Sequence, residues 1–223
     1  YLESDKMKWA RKACDLGLKQ YEYSTDLISD KAEILARTGK LSEAISCIEA
    51  ALIYAPGDVD LLMQKGSLYT ISGEYLSSIA CFKKILPTAE DRDEILYQIG
   101  LAYQGLEDFE KAIETYKEAV QFNLHNEGAL YELTYCLEIV GALEKSIPYY
   151  KRFIDADPYS EYAWYNMGIV YNKLKKFDKA MDAYEFAIAI DETFSSAHFN
   201  IGNTYMNLEK YDSAIASYLL TLE

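Results

Sequence analysis

Residues of one kind recur every 34 positions along this chain. From Ala10 the series runs Ala10, Ala44, Ser78, Ala112, Ser146, Ala180, Ala214, seven small side chains with no insertion or deletion between them. One residue further on it reads Arg11, Ile45, Ile79, Ile113, Ile147, Met181, Ile215, apolar in all but the first. A register held this long specifies a stack of similar units that share their apolar faces, rather than one globular core. Stacked units of this kind ordinarily bind and rarely catalyse.

Two helical patterns alternate inside each unit. In 161–194, Trp164, Met167, Gly168 and Tyr171 lie on one face of a 3.6-residue helix, and Ala180, Met181, Tyr184, Ala187 and Ile188 form a second stripe. Gly39, Gly73 and Gly141 fall at the breaks, where a chain leaving a helix wants positive φ. Pro56 and Pro158 stand at equivalent boundaries, and Pro87 ends its helix early. Pro148 lies near the first turn of a second helix, where a slight kink without interruption is expected. The expected organisation is a lone helix in 1–24, the second half of a cut-off unit. Full units follow in 25–58, 59–92, 93–126, 127–160 and 161–194, with a last, shortened one in 195–223, all in one solenoid domain. Gly66, Gly100, Gly168 and Gly202, with Ala32 and Thr134, mark where first helix crosses second, with Ala or Ser of the second helix expected to face them.

Trp164-x2-Met167-Gly168-x2-Tyr171 followed by Ala180-x3-Tyr184 and Ala187 resembles the tetratricopeptide repeat signature. The frame recurs with Gly202, Tyr205, Ala214 and Tyr218, with Gly100, Tyr103, Ala112, Tyr116 and Ala119, and more loosely with Gly66, Tyr69, Ser78 and Phe82. Units 25–58 and 127–160 depart from it, with Ala32 and Leu35, and Thr134 and Leu137, for the Gly and Tyr. The resemblance implies an all-α, right-handed α-solenoid superhelix of antiparallel helix pairs. It also implies a non-catalytic interaction scaffold whose concave groove, lined by the first helices, holds a peptide segment of a partner.

The chemistry-bearing residues fit that implication. His125 and His198 lie 73 residues apart on different units, so a nucleophile–His site is not expected, and no phosphate-loop or HExxH motif is present. Cys14, Cys47, Cys81 and Cys136 show no metal-ligand spacing and sit among apolar helical residues, as core hydrophobes do. No metal and no cofactor are expected. The net charge of −14 disfavours nucleic acid and anionic membrane, which need clustered Lys and Arg. A cytoplasmic setting is expected from the missing leader at 1–10 and the unpaired cysteines; because the chain does not begin with Met, it is read as a processed or trimmed form.

Two rows are expected on the inner wall. One is Ser29, Met63, Tyr97, Tyr131, Tyr165 and Phe199, and beside it runs Asp30, Gln64, Gln98, Glu132, Asn166 and Asn200. Amides offer donor and acceptor together and so pair with the main chain of an extended peptide, while aromatic rings add apolar contact. This resembles the asparagine ladders of some peptide-binding tetratricopeptide superhelices. The candidate peptide-binding residues are therefore Gln64, Tyr97, Gln98, Tyr131, Glu132, Tyr165, Asn166, Phe199 and Asn200. The carboxylate clamp of chaperone-docking relatives needs Lys, Asn and Arg. Here Arg37 and Lys173 face Asp26, Asp30, Glu33, Asp60, Glu94, Glu132 and Glu138, so a neutral or basic segment fits better. Two other readings stay open: a substrate-recognition or regulatory arm of a larger enzyme, and self-assembly through exposed terminal helices.

Overall fold

The computed structural model of the protein describes residues 2–22 and 24–221, and among them every regular element is helical. The order is α1 (Leu2–Gln20), α2 (Thr25–Arg37), α3 (Leu41–Tyr54), α4 (Val59–Ser72), α5 (Tyr75–Ile85), α6 (Arg92–Gly105) and α7 (Phe109–Phe122). There follow α8 (Glu127–Ile139), a 3₁₀ turn (Leu143–Ser146), α9 (Ile147–Ala156), α10 (Glu161–Lys173), α11 (Phe177–Ile190), α12 (Ser195–Asn207) and α13 (Tyr211–Leu219). The chain packs as two compact units, one reaching Thr115 and one starting at Tyr116. Within each, consecutive helices pack as antiparallel neighbours, and first helices also approach first helices, α2 to α4, α4 to α6 and α10 to α12.

The 34-residue register is visible in how the helices start and stop. Ser24, Asp58, Asn126 and Ser160 occupy the same register position, and each side chain accepts the backbone N–H three residues on, at 3.4, 3.0, 2.9 and 3.2 Å. At the break between paired helices the chain turns through the left-handed region: φ is +78° at Gly39, +81° at Gly73 and +70° at Gly141. The equivalent positions without glycine keep that conformation, with φ +58° at Glu107, +57° at Lys175 and +59° at Glu209. An L-residue held there costs about 1–2 kcal/mol, partly offset by the larger unfolded-state entropy of glycine. Lys175→Gly is therefore expected to raise unfolding free energy by about 0.5–1 kcal/mol, and Gly73→Ala to lower it by about 1 kcal/mol, both read from urea unfolding curves.

One expectation is corrected. The nearest neighbours of Gly66, Gly168 and Gly202 are aromatic rings, not Ala or Ser. A Cβ added to Gly66 would stand 2.7 Å from the Phe82 ring, and one added to Gly168 or Gly202 would stand 2.5 or 2.4 Å from the rings of Tyr184 or Tyr218. The glycine is a slot for an aromatic ring of the second helix, while Ala44, Ala112, Ala180 and Ala214 are fully buried elsewhere along it. At Thr134 there is no slot, and its hydroxyl instead bonds the Tyr150 hydroxyl at 3.3 Å. Pro148 lies in the first turn of α9, as expected, and the 3₁₀ turn before it runs into that helix without a break. Pro148 lacks the N–H that would reach back one α-turn; the preceding turn tightens to 3₁₀, with Ile147 N–H donating to Glu144, before α9 begins.

Candidate functional site

The first unit places three of the candidate residues, and two of their amides are already engaged. Gln64 donates its Nε2 to the Ser29 carbonyl at 2.9 Å, tying α4 to α2, and its Oε1 is buried without a protein partner. Gln98 donates to Glu94 of its own helix at 2.9 Å, and Tyr97 is half-buried. Arg37, one of the two cations expected on this wall, pairs with Glu33 at 2.5 Å.

In the second unit the aromatic row is partly packed and partly open. Tyr165 lies edge-on to Phe194 with ring centroids 5.0 Å apart and tilted against Tyr184 at 6.0 Å, and burial raises its hydroxyl pKa. Phe199 rests on Tyr218 at 5.5 Å with half its surface exposed, and Tyr131 is 56 % exposed. The amides of α12 stitch repeats together: Asn200 donates to the Tyr165 hydroxyl at 2.8 Å and accepts from Asn203 at 3.3 Å, while the Tyr218 hydroxyl donates to Asn203 at 2.8 Å. Asn172 joins them, donating to Thr204 at 2.5 Å and accepting from Asn207 at 3.4 Å.

Asn166 occupies the register position of Asn200 one repeat earlier, and Tyr131 that of Tyr165. The bond equivalent to Asn200–Tyr165 is nevertheless not made, and among the described residues no protein group pairs with the Asn166 amide. The side chains of Tyr131 and Asn166 both line a cavity of about 240 Å³ between α8 and α10. Its α8 wall is Tyr131, Thr134, Tyr135 and Glu138, residues spaced three and four apart along one stripe. The α10 wall is Asn166, Ile169, Val170 and Lys173, at the same spacing, and Leu143 and Tyr150 close the floor. Burial pushes the Tyr150 hydroxyl up to about 12, so it stays protonated, and at the rim Lys173 pairs with Glu138 at 2.5 Å. One of the two repeats that depart from the pattern, 127–160 with Thr134, Leu137 and Pro148, supplies one wall of the cavity. Local rule-breaking of this kind is expected where a chain does something besides fold.

Tyr135 and Ile169 were not among the residues singled out by sequence, although they lie one turn beyond Tyr131 and Tyr165 on the same face, and Glu138 was placed on this wall only as one of its acidic residues. The cysteines form no disulfide among the described residues and are largely buried, and desolvation raises the thiol pKa of each, that of Cys136 to about 11, which leaves them poor nucleophiles. Among the described residues no group of His, Cys, Asp and Glu could hold a metal ion, and no helix is long and apolar enough to cross a membrane.

Family models described as tetratricopeptide repeat match residues 29–93, 94–126, 161–194 and 195–223. Comparison with curated proteins returns no match. Among solved structures, MamA protein is similar at 26 % identity and a TM-score of 0.58, over 74 % of this chain and 90 % of that one. A tetratricopeptide repeat protein from Parabacteroides merdae aligns over 100 % of this chain and 95 % of its own at 18 % identity, with a TM-score of 0.63. YrrB, described as a tetratricopeptide repeat protein with an unusual peptide-binding site, aligns over 84 % and 96 % at 21 % identity and a TM-score of 0.56.

Proposed function

The chain belongs to the tetratricopeptide repeat family, and on that premise we propose that it is an interaction scaffold holding a polypeptide segment of a partner against its first helices. The observation that carries this reading is the cavity between α8 and α10, lined by an exposed tyrosine, Tyr131, and by an amide, Asn166, that has no protein partner among the described residues. A half-buried amide without a protein partner, in a recess lined with aromatic rings, has a donor and an acceptor ready for a peptide main chain. Tyr165 and Phe199 extend the aromatic surface in the next repeats, and Asn200 would join it by exchanging Tyr165 for the guest. Glu132 belongs to the same rows beside Tyr131, and Gln64, Tyr97 and Gln98 hold the equivalent register positions in the first unit, where they are proposed as contacts of that unit by itself. The excess of acidic side chains favours a neutral or basic segment. YrrB, with its peptide-binding site, supports the reading by likeness of fold.

Affinity capture with the intact chain, followed by quantitative binding of the captured polypeptide, tests this. Tyr131→Ala and Asn166→Ala are each expected to weaken that binding about tenfold or more, as interface anchors do. Helicity should be unchanged, and stability should stay within about 0.5 kcal/mol because both side chains reach solvent. A partner held equally by both variants would place its contact elsewhere.

A further inference from the structure

We propose that the cavity between α8 and α10 is a receptor for one arginine side chain of the bound segment, an assignment that rests on the groove reading above and sharpens it. At about 240 Å³ the cavity is smaller than the ~300–1,000 Å³ of small-molecule sites and suits a single large side chain. Tyr131 and Tyr135 present exposed rings on one wall, surfaces on which a planar cation stacks. The opposite wall and floor supply acceptors: the Asn166 carbonyl oxygen and the hydroxyl oxygen of Tyr150. Glu138 stands at the mouth, and α8 carries Glu127, Glu132 and Glu138 with no basic residue, so the field at this wall is negative.

Lys173 is the charge opposing a cationic guest, and its pairing with Glu138 is a lid that can be exchanged. The two side chains are 47 % and 39 % exposed, and an ion pair so exposed is held weakly against a competing donor. A guanidinium entering beside Glu138 takes the carboxylate in bidentate fashion, which the ammonium of Lys173 cannot do, and Lys173 turns into water. An aromatic guest would use the rings but leave Glu138 with Lys173 and at most one acceptor engaged. A lysine guest would use the carboxylate but not the planar stack.

The test uses the peptide Ac-Gly-Arg-Gly-NH2 titrated into the whole chain labelled for NMR at methyl groups and amides. Saturable shifts are expected at the Ile169 methyl and the Asn166 side-chain amide at millimolar peptide. The uncharged citrulline peptide, equal in shape, should bind about tenfold more weakly, as should the arginine peptide to Glu138→Gln. Lys173→Met should bind the arginine peptide several-fold more tightly, a gain that no loss of folding can imitate. Equal binding of citrulline or lysine peptides, tighter binding of a phenylalanine peptide, weaker binding to Lys173→Met, or no saturable shift would each overturn the assignment. If those results accompanied a Tyr131→Ala variant that still lost its captured partner, the groove reading would stand and the arginine assignment alone would fall.

Discussion

Tyr184→Ala is expected to lower the unfolding free energy by about 3–5 kcal/mol, the cost of emptying a buried aromatic site. The ring is 1 % exposed and lies across Gly168, where an added Cβ would come within 2.5 Å of Cε1 and 2.6 Å of Cδ1. Ring and glycine are thus one packing unit, and they should respond as one. In the native background Gly168→Ala overpacks this contact by about 1–3 kcal/mol, less about 1 kcal/mol returned by the better helix propensity of alanine. In the Tyr184→Ala background the obstruction is gone, so the same substitution should stabilise by up to about 1 kcal/mol. A double-mutant cycle in urea would show the reversal as a coupling of about 1–3 kcal/mol. Trp164 stacks on Phe186 at 4.4 Å in the same repeat, and a Trp9→Phe background makes it the sole indole reporter. Additive effects would mean that the ring does not rest on Gly168 in solution.

That pairing also marks where the sequence stops being informative. The period shows that position 168 must be small, because Gly66, Gly100 and Gly202 repeat it. It cannot show which side chain of the second helix lies above, since that depends on the turn between helices. The turn was itself half legible: Gly39, Gly73 and Gly141 announced a left-handed residue, whereas Glu107, Lys175 and Glu209 adopt the same φ with no glycine to announce it. Ser24, Asp58, Asn126 and Ser160 cap their helices from one repeated register position, a signal present in the sequence but not among those read from it. For the site, the rows of Tyr131 with Tyr165 and Asn166 with Asn200 were visible as rows. That Asn200 is spent on Tyr165 while Asn166 is unspent was not visible, because the two occupy identical places in the repeat. Thr134, Leu137 and Pro148 were legible only as departures. The cavity that Thr134 lines, together with Leu143 of the 3₁₀ turn, is a property of packing.

The register makes a second large prediction, because it sets one residue type in one place under two degrees of cover. Ile79 and Ile215 are four repeats apart at the same position of the second helix. Ile79 is 6 % exposed and packs with Leu62, Phe82, Ile95 and Ile99, since α6 lies over α5. Ile215 is 58 % exposed, and among the described residues no helix follows α13. Ile79→Ala is therefore expected to cost about 2–5 kcal/mol, the range for truncating a buried aliphatic side chain, and Ile215→Ala less than about 0.5 kcal/mol. Urea unfolding of the two variants beside the parent measures both. Comparable losses at the two sites would mean that Tyr211, Ile215 and Leu219 are covered in solution, and cover by a second copy would make the Ile215 loss grow with protein concentration. A large loss at Ile79 with none at Ile215 would establish that cover by the following helix, and not the residue type the register conserves, gives this position its energy.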